Sequence, residues 1–403
     1  GPALVVLVAL AGCTGVGSPA TTEDPTAGPT AAPSAAPSSP SAPPSPSPSP
    51  SPSPSPSPSA STDPLAGWTV EEKVGQVLMV GVDVTAPGEV TREALVKDHA
   101  GGLFLHGRSQ AGVESVRALV DGYRADAREG SRVPLLVATD QEGGQVQVLQ
   151  GPGFSRLPSA TAQAGLDPAA LRQDAAGWGA ELRAAGVDVN LAPVADLVPA
   201  ASAAGNPPIG AFDRSYGFTP GSVVAGAGAF GRGMLDAGVI PTIKHFPGLG
   251  EVTENTDTSE GVTDHVTGAD AASVDVFGQV IDASPGAWVM TSTAVYDRID
   301  PDAPAAFSPA VVDGLLRDRL GFDGVVITDD LSGAQQVQPW SPGERAVRAI
   351  AAGNDVVLAS ARPGVADEMA DALVQRAQDD PAFAAQVDEA ARRVLAAKAA
   401  LPR

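Results

Sequence analysis

GVVITDD, residues 324–330, is a short apolar run that ends in two carboxylates, Asp329 and Asp330. A continuous apolar run of this length suits a parallel strand buried on both faces. Two other runs share the design: PLLVAT (134–139) ends in Asp140-Gln141-Glu142, and VIPTI (239–243) ends in Lys244-His245. Working outward, further runs occur at GQVLMVGV (75–82), GGLFLHG (101–107), VDVNLAPV (187–194), AWVMTST (287–293) and DVVLASA (355–361). Amphipathic stretches lie between them, among them 115–128, 169–186, 310–321 and 343–353, several ending in Gly where a helix stops. Thr69-Val70-Glu71-Glu72 has capping-box spacing and predicts a short helix from Val70. Eight strands alternating with helices define an α/β fold, a single (β/α)8 (TIM) barrel over 65–403. A doubly wound open sheet is the alternative, but no Gly-rich phosphate fingerprint follows the first run. No second domain fits after residue 361, and the Ala-rich tail 364–401 is helical in pattern and able to close the barrel.

The part before the barrel has a different composition. Residues 3–10 (ALVVLVAL) are apolar and lead into Leu10-Ala11-Gly12-Cys13. Eight residues cannot span a bilayer that needs roughly 20, whereas an apolar core ending in small residues has the form of a secretion signal. The tetrapeptide resembles a bacterial lipobox, so 1–13 reads as a signal-peptide remnant with Cys13 as the lipidated residue. The expected location is therefore extracytoplasmic, anchored to the membrane by lipid. Cys13 is the single cysteine, which excludes an intramolecular disulfide. Residues 14–64 are rich in Pro, Ser and Ala with a strict Ser-Pro alternation, and offer nothing bulky to bury. At about 3.1 Å per residue such a disordered linker could reach roughly 140 Å, a spacer between membrane and barrel.

The formal charge is −22, and every Lys and Arg lies after residue 64. So acidic a chain argues against nucleic acid as a partner. Four scattered histidines and one cysteine give no zinc-like spacing, so neither metal nor cofactor is expected.

Charged residues at barrel strand ends point to catalysis, because that rim carries the active site. Asp329 can attack an anomeric carbon to form a covalent intermediate; the bland alternative is helix capping, a part Asp330 could play. Lys244 and His245 can donate hydrogen bonds to sugar hydroxyls. Asp140 can accept two, or cap its own turn. The loop 249–264 carries Glu251, Glu254, Asp257, Glu260 and Asp264, and is either a mobile solvated loop or the bearer of a general acid. Arg214, alone, reads more readily as a surface ion pair.

Together the fragments EEKVGQVLMVG, TDQEGGQV, GVDVNLAPVADL, RSYG, KHFPGLG and GFDGVVITDDLSGA resemble glycoside hydrolase family three, across residues 65 to 400. With no second domain, the chain is similar to the single-domain bacterial β-N-acetylglucosaminidases. The resemblance implies a cofactor-free retaining hydrolase, acting as a monomer on terminal N-acetylglucosamine of cell-wall fragments. It places the nucleophile on Asp329 and sugar contacts on Asp140, Arg214, Lys244 and His245. Three departures stand out. The family has His where this chain has Leu249, and an Asp-Ser-His dyad where it has Asn255-Thr256-Asp257. It also has Arg at the positions of Gln145 and Val148. Either Asp257 serves directly as acid/base, or the barrel binds sugar without turning it over. A different β-linked sugar, such as a β-glucoside, is also compatible.

Overall fold

The computed structural model describes residues 63–402; the expected signal remnant, Cys13 and nearly all of the linker lie outside the described residues. All eight apolar runs form strands: β1 Leu78–Asp83, β2 Gly102–His106, β3 Leu136–Thr139, β4 Val189–Asn190, β5 Ile240–Phe246, β6 Trp288–Thr291, β7 Val326–Asp330 and β8 Val356–Ala359. Each pairs in parallel with its neighbours in sequence, and β8 pairs with β1, which closes the barrel. Closure leaves the barrel without an exposed sheet edge, so its Val- and Leu-rich strands avoid edge pairing.

The strand pleat sorts the apolar residues into two cores. In β1, Leu78, Val80 and Val82 pack outward with the helices, while Met79 points into the barrel with Phe104, Leu136, Val189 and Trp288. The outer helices begin where the sequence signals place them. Thr69 and Glu72 form the capping box of Val70–Gln76. Asp167, Thr219, Ser341 and Asp380 cap helices that each begin with proline, whose missing N–H costs nothing at that position. The tail is two helices, Ala366–Asp379 and Pro381–Ala400. Val394 of the second enters the barrel's inner core from below, with Ala397 and Leu401 packed beside it.

Barrel layering then sets up the mouth. Phe104, Leu191, Met290 and Leu358 come from β2, the end of β4, β6 and β8, and form an apolar floor. Alternate strands contribute alternate layers, so the odd-numbered strands deliver the next layer up. Their ends carry Asp140, Lys244 and Asp329. Apolar floor and polar rim thus follow from one alternation.

Candidate active site

The mouth holds a cavity of about 330 Å³, of a size for one sugar ring, lined among others by Asp140, Arg214, Lys244, His245, Asp257 and Asp329. The structure thus brings together all six site residues singled out from the sequence in the barrel. A larger cavity of about 730 Å³ lies at the opposite end, around Trp288, Phe322 and Leu401, and contains none of them. Among the described residues, no group of His, Cys, Asp and Glu is arranged to hold a metal ion.

The Arg214 and Lys244 cations are held by a residue that the sequence reading left unassigned. Glu142, 4% exposed, accepts two hydrogen bonds from Arg214, at 2.9 Å from Nε and 2.8 Å from Nη2, and lies 2.7 Å from Lys244 Nζ. Burial opposes its charge, but the Arg214 guanidinium and the Lys244 ammonium overcome this and hold its carboxyl at about 2. Lys244 also donates to Asp140 Oδ1 at 2.5 Å. The Asp140 side chain is therefore engaged by Lys244 and not by its own turn. Arg214 donates in addition to the Pro208 carbonyl. Its ion pair is buried, in contrast to the surface pair its position in the sequence suggested. Glu142 lies two residues beyond Asp140, a spacing that returns a side chain to the same face of an extended chain. Gly143 and Gly144 follow with φ of 108° and 57°, and a Cβ on Gly143 would lie 2.1 Å from the Pro158 carbonyl oxygen. Glycine is required there for the chain to turn away from the mouth.

His245 donates or accepts on both ring nitrogens: Nδ1 is 2.7 Å from Asp196 Oδ2, and Nε2 is 3.3 Å from Arg214 Nη2. Asp196 is fully buried, and its Oδ1 accepts from the backbone N–H of His245 and of Leu249. It too was missed as a functional residue. The available signal was an acidic residue inside the apolar stretch 189–198, because a buried carboxylate requires partners.

The two aspartates at the end of β7 have separate tasks. Asp330 accepts five hydrogen bonds, from Ser332 N and Oγ, Gly333 N, Ser360 N and Ala361 N. It ties the β7 and β8 loops together and does so as a turn anchor, not as a helix cap. Asp329 accepts only from the backbone N–H of Asp330, at 2.8 Å, which leaves its other oxygen for a ligand.

Asp257 reaches the same pocket because hydrogen bonds from distant parts of the chain tie its loop down. Asn206 donates to the carbonyls of Leu249, Gly250 and Val252. Gln335 N and Gln336 N donate to the carbonyls of Asp257 and Thr256, and the Gln336 side chain clasps Val262 from both sides. A Cβ on Gly250 would lie 1.9 Å from Leu197 O, so only glycine lets the loop lie this close to the β4 loop. Asn255, at the position of the family's aspartate, accepts from Asp257 N and shapes the turn. Asp257 is exposed to solvent at the mouth and lines the pocket on one side. Partial desolvation of the carboxyl and repulsion from Asp329 push it up to about 6, against the pull of Arg214. Water at the open edge screens part of the effect.

A closed parallel barrel that holds two carboxyl groups, one of them raised, over a sugar-sized pocket has the construction of a glycoside hydrolase. Residues 69–397 match the glycosyl hydrolase family 3 N-terminal domain, and the chain belongs to that family. It is a glycoside hydrolase. It is 37% identical over 296 residues to a β-hexosaminidase of Alkalilimnicola ehrlichii, covering 71% of this chain and 81% of that protein. The crystal structure of a β-N-acetylhexosaminidase from Beutenbergia cavernae is 57% identical and superposes with a TM-score of 0.81, over 83% of this chain and 99% of that one. A family 3 β-N-acetylglucosaminidase from Paenibacillus is 32% identical with a TM-score of 0.74, over 82% and 62%.

Proposed function

We propose that the protein is a retaining exo-β-N-acetylhexosaminidase with Asp329 as nucleophile and Asp257 as acid/base. The observation that carries this reading is the placement of both carboxyl groups in one pocket, one raised to about 6 by burial and by the other's charge. Asp329 attacks the anomeric carbon while Asp257 gives its proton to the departing glycosidic oxygen. The glycosyl–Asp329 ester is then hydrolysed by a water whose proton Asp257 takes back. Asp140, Lys244 and Arg214 hold the sugar ring by its hydroxyls, with His245 beside Arg214, and the apolar floor lies beneath it. The names of the relatives support an N-acetylhexosamine as the sugar.

The test is a panel of nitrophenyl β-glycosides with the full chain and its Asp329→Asn variant. Turnover of the N-acetylglucosaminide, lost in the variant and giving product of retained configuration by NMR, is expected. Turnover of another sugar alone would keep the mechanism and replace the substrate. Saturable binding of amino sugars without product would reassign the protein as a glycan-capturing one.

The N-terminal sequence supports a lipid-anchored protein outside the cytoplasm, working on cell-wall glycans at the end of a long spacer. Cys13→Ala should move it from the membrane fraction to the medium, and unchanged fractionation would remove the anchor from this reading.

A further inference from the structure

We propose that Asp196 is a positioning residue that keeps the proton of His245 on Nδ1, so that Nε2 accepts from Arg214 and holds that guanidinium in place at the sugar pocket. The argument begins at Arg214. A guanidinium has five N–H groups and no acceptor, so its 3.3 Å contact with His245 Nε2 requires Nε2 to carry a lone pair. The ring proton then sits on Nδ1, where Asp196 Oδ2 receives it at 2.7 Å. The two contacts enforce each other. A proton on Nε2 would point one N–H at another and leave the buried Asp196 carboxylate facing a lone pair.

Asp196 is itself set in place for this task. It is fully buried, and its Oδ1 is occupied by the backbone N–H groups of His245 at 3.2 Å and Leu249 at 2.7 Å, so Oδ2 is the oxygen aimed at the ring. Those same two bonds tie the end of β5 to the start of the loop that carries Asp257. The pocket then has a defined pattern: Lys244 and Arg214 donate and Asp140 accepts, while the lone pair of His245 Nε2 is occupied by Arg214. This reverses the donor role that the sequence alone suggested for His245. A second-layer carboxylate that fixes which imidazole nitrogen is protonated is a general way to orient a histidine.

Asp196→Asn tests this with little change of shape. The amide oxygen can keep the two backbone N–H bonds, while the NH2 group now faces Nδ1 as a donor and drives the ring proton to Nε2. The inference rests on reading this pocket as the sugar site, but its direct readout needs no turnover. Nitrogen-15 NMR of histidine-labelled full chain, with His245→Gln to assign the signal, should show Nδ1 protonated and Nε2 bare. In Asp196→Asn the proton should move to Nε2, and kcat/KM should fall at least tenfold with little change in Tm. In a His245→Gln background the same Asp196→Asn change should cost less than twofold, since the two act as a unit. A wild-type His245 protonated on Nε2 would overturn the proposal. So would an unchanged kcat/KM in Asp196→Asn, or an equal loss in both backgrounds. If Asp196→Asn fails to fold, the wild-type tautomer alone decides.

Discussion

Replacing Asp257 by Asn separates its role as acid from any role in shaping the loop. Its carboxyl titrates at about 6, against an ordinary 3.8. At pH 7 roughly one molecule in ten therefore keeps the proton, against roughly one in 1,600 for an unshifted aspartic acid. That is up to about 150-fold more of the acid form, a gain that water at the exposed mouth reduces. A bound sugar would displace the water that screens Asp257 at the mouth and raise it further. The assay is kcat/KM, which reports only steps through formation of the covalent intermediate. On an N-acetylglucosamine disaccharide, whose leaving alkoxide needs a proton, Asp257→Asn should cost about 10²–10⁴. On a nitrophenyl glycoside, whose leaving group is stable unprotonated, the loss should be about tenfold or less. The wild-type profile on the disaccharide should decline above about pH 6, and that limb should vanish in the variant. Equal losses on both substrates, or a descending limb that persists in Asp257→Asn, would refute the assignment.

The neighbouring aspartates should respond in opposite ways. Asp330→Ala removes five hydrogen bonds and should lower stability by about 2–4 kcal/mol in urea titrations, whereas Asp329→Asn should abolish turnover and leave Tm unchanged or higher. Glu142→Gln strands two buried cations and should cost about 3–5 kcal/mol together with most activity. With the folded carboxyl at about 2 and the ordinary value at 4.5, Glu142 contributes stability above pH 4.5 that is lost as pH falls towards 2. The variant should therefore show a weaker loss of Tm across that acid range than the wild type. Lys398 is buried with the Gln76 side-chain oxygen as its hydrogen-bond partner, and burial lowers its ammonium to about 7. A depressed lysine destabilises the fold below pH 7, and the penalty disappears as pH rises towards 10.5. Lys398→Met should raise Tm most at or below pH 7 and least at pH 10; a gain independent of pH would contradict the titration.

The barrel was legible because its signals are local. Each strand is a short uninterrupted apolar run, each run is separated from the next by helix-length sequence, and proline after a capping residue starts four of the helices. The six candidate site residues, which share one pocket, could be singled out because they stand at strand ends or in motifs. The parts that were not legible depend on contacts across the chain. Asp257 is two residues from Asn255, yet its place over the pocket is decided by Asn206 and Gln336, which lie 51 residues before it and 79 residues after it. Glu142 and Asp196 look like ordinary acidic residues until the fold sets Arg214, Lys244 and His245 against them. Periodicity reports which face of a strand is buried; it carries no information about which distant charge will share that burial.

The fixed loop also explains how one aspartate can stand where the family has a histidine with an aspartate partner. A histidine can be supplied with its proton by a charged partner on its own loop. An aspartic acid cannot, because an adjacent carboxylate lifts it only if the two are held close, and two like charges on a free loop would simply move apart. The hydrogen bonds from Asn206 and from Gln335 and Gln336 remove that escape. On the proposed assignment Asp257 stays near Asp329 in the pocket they share, and repulsion is relieved by keeping a proton and not by motion. Loosening the loop with Asn206→Ala should therefore shift the descending limb of the pH profile from about 6 towards 3.8, with the substrate's KM changed less than kcat at pH 7. A variant that lost activity uniformly at all pH values would show that the loop positions Asp257 without tuning it.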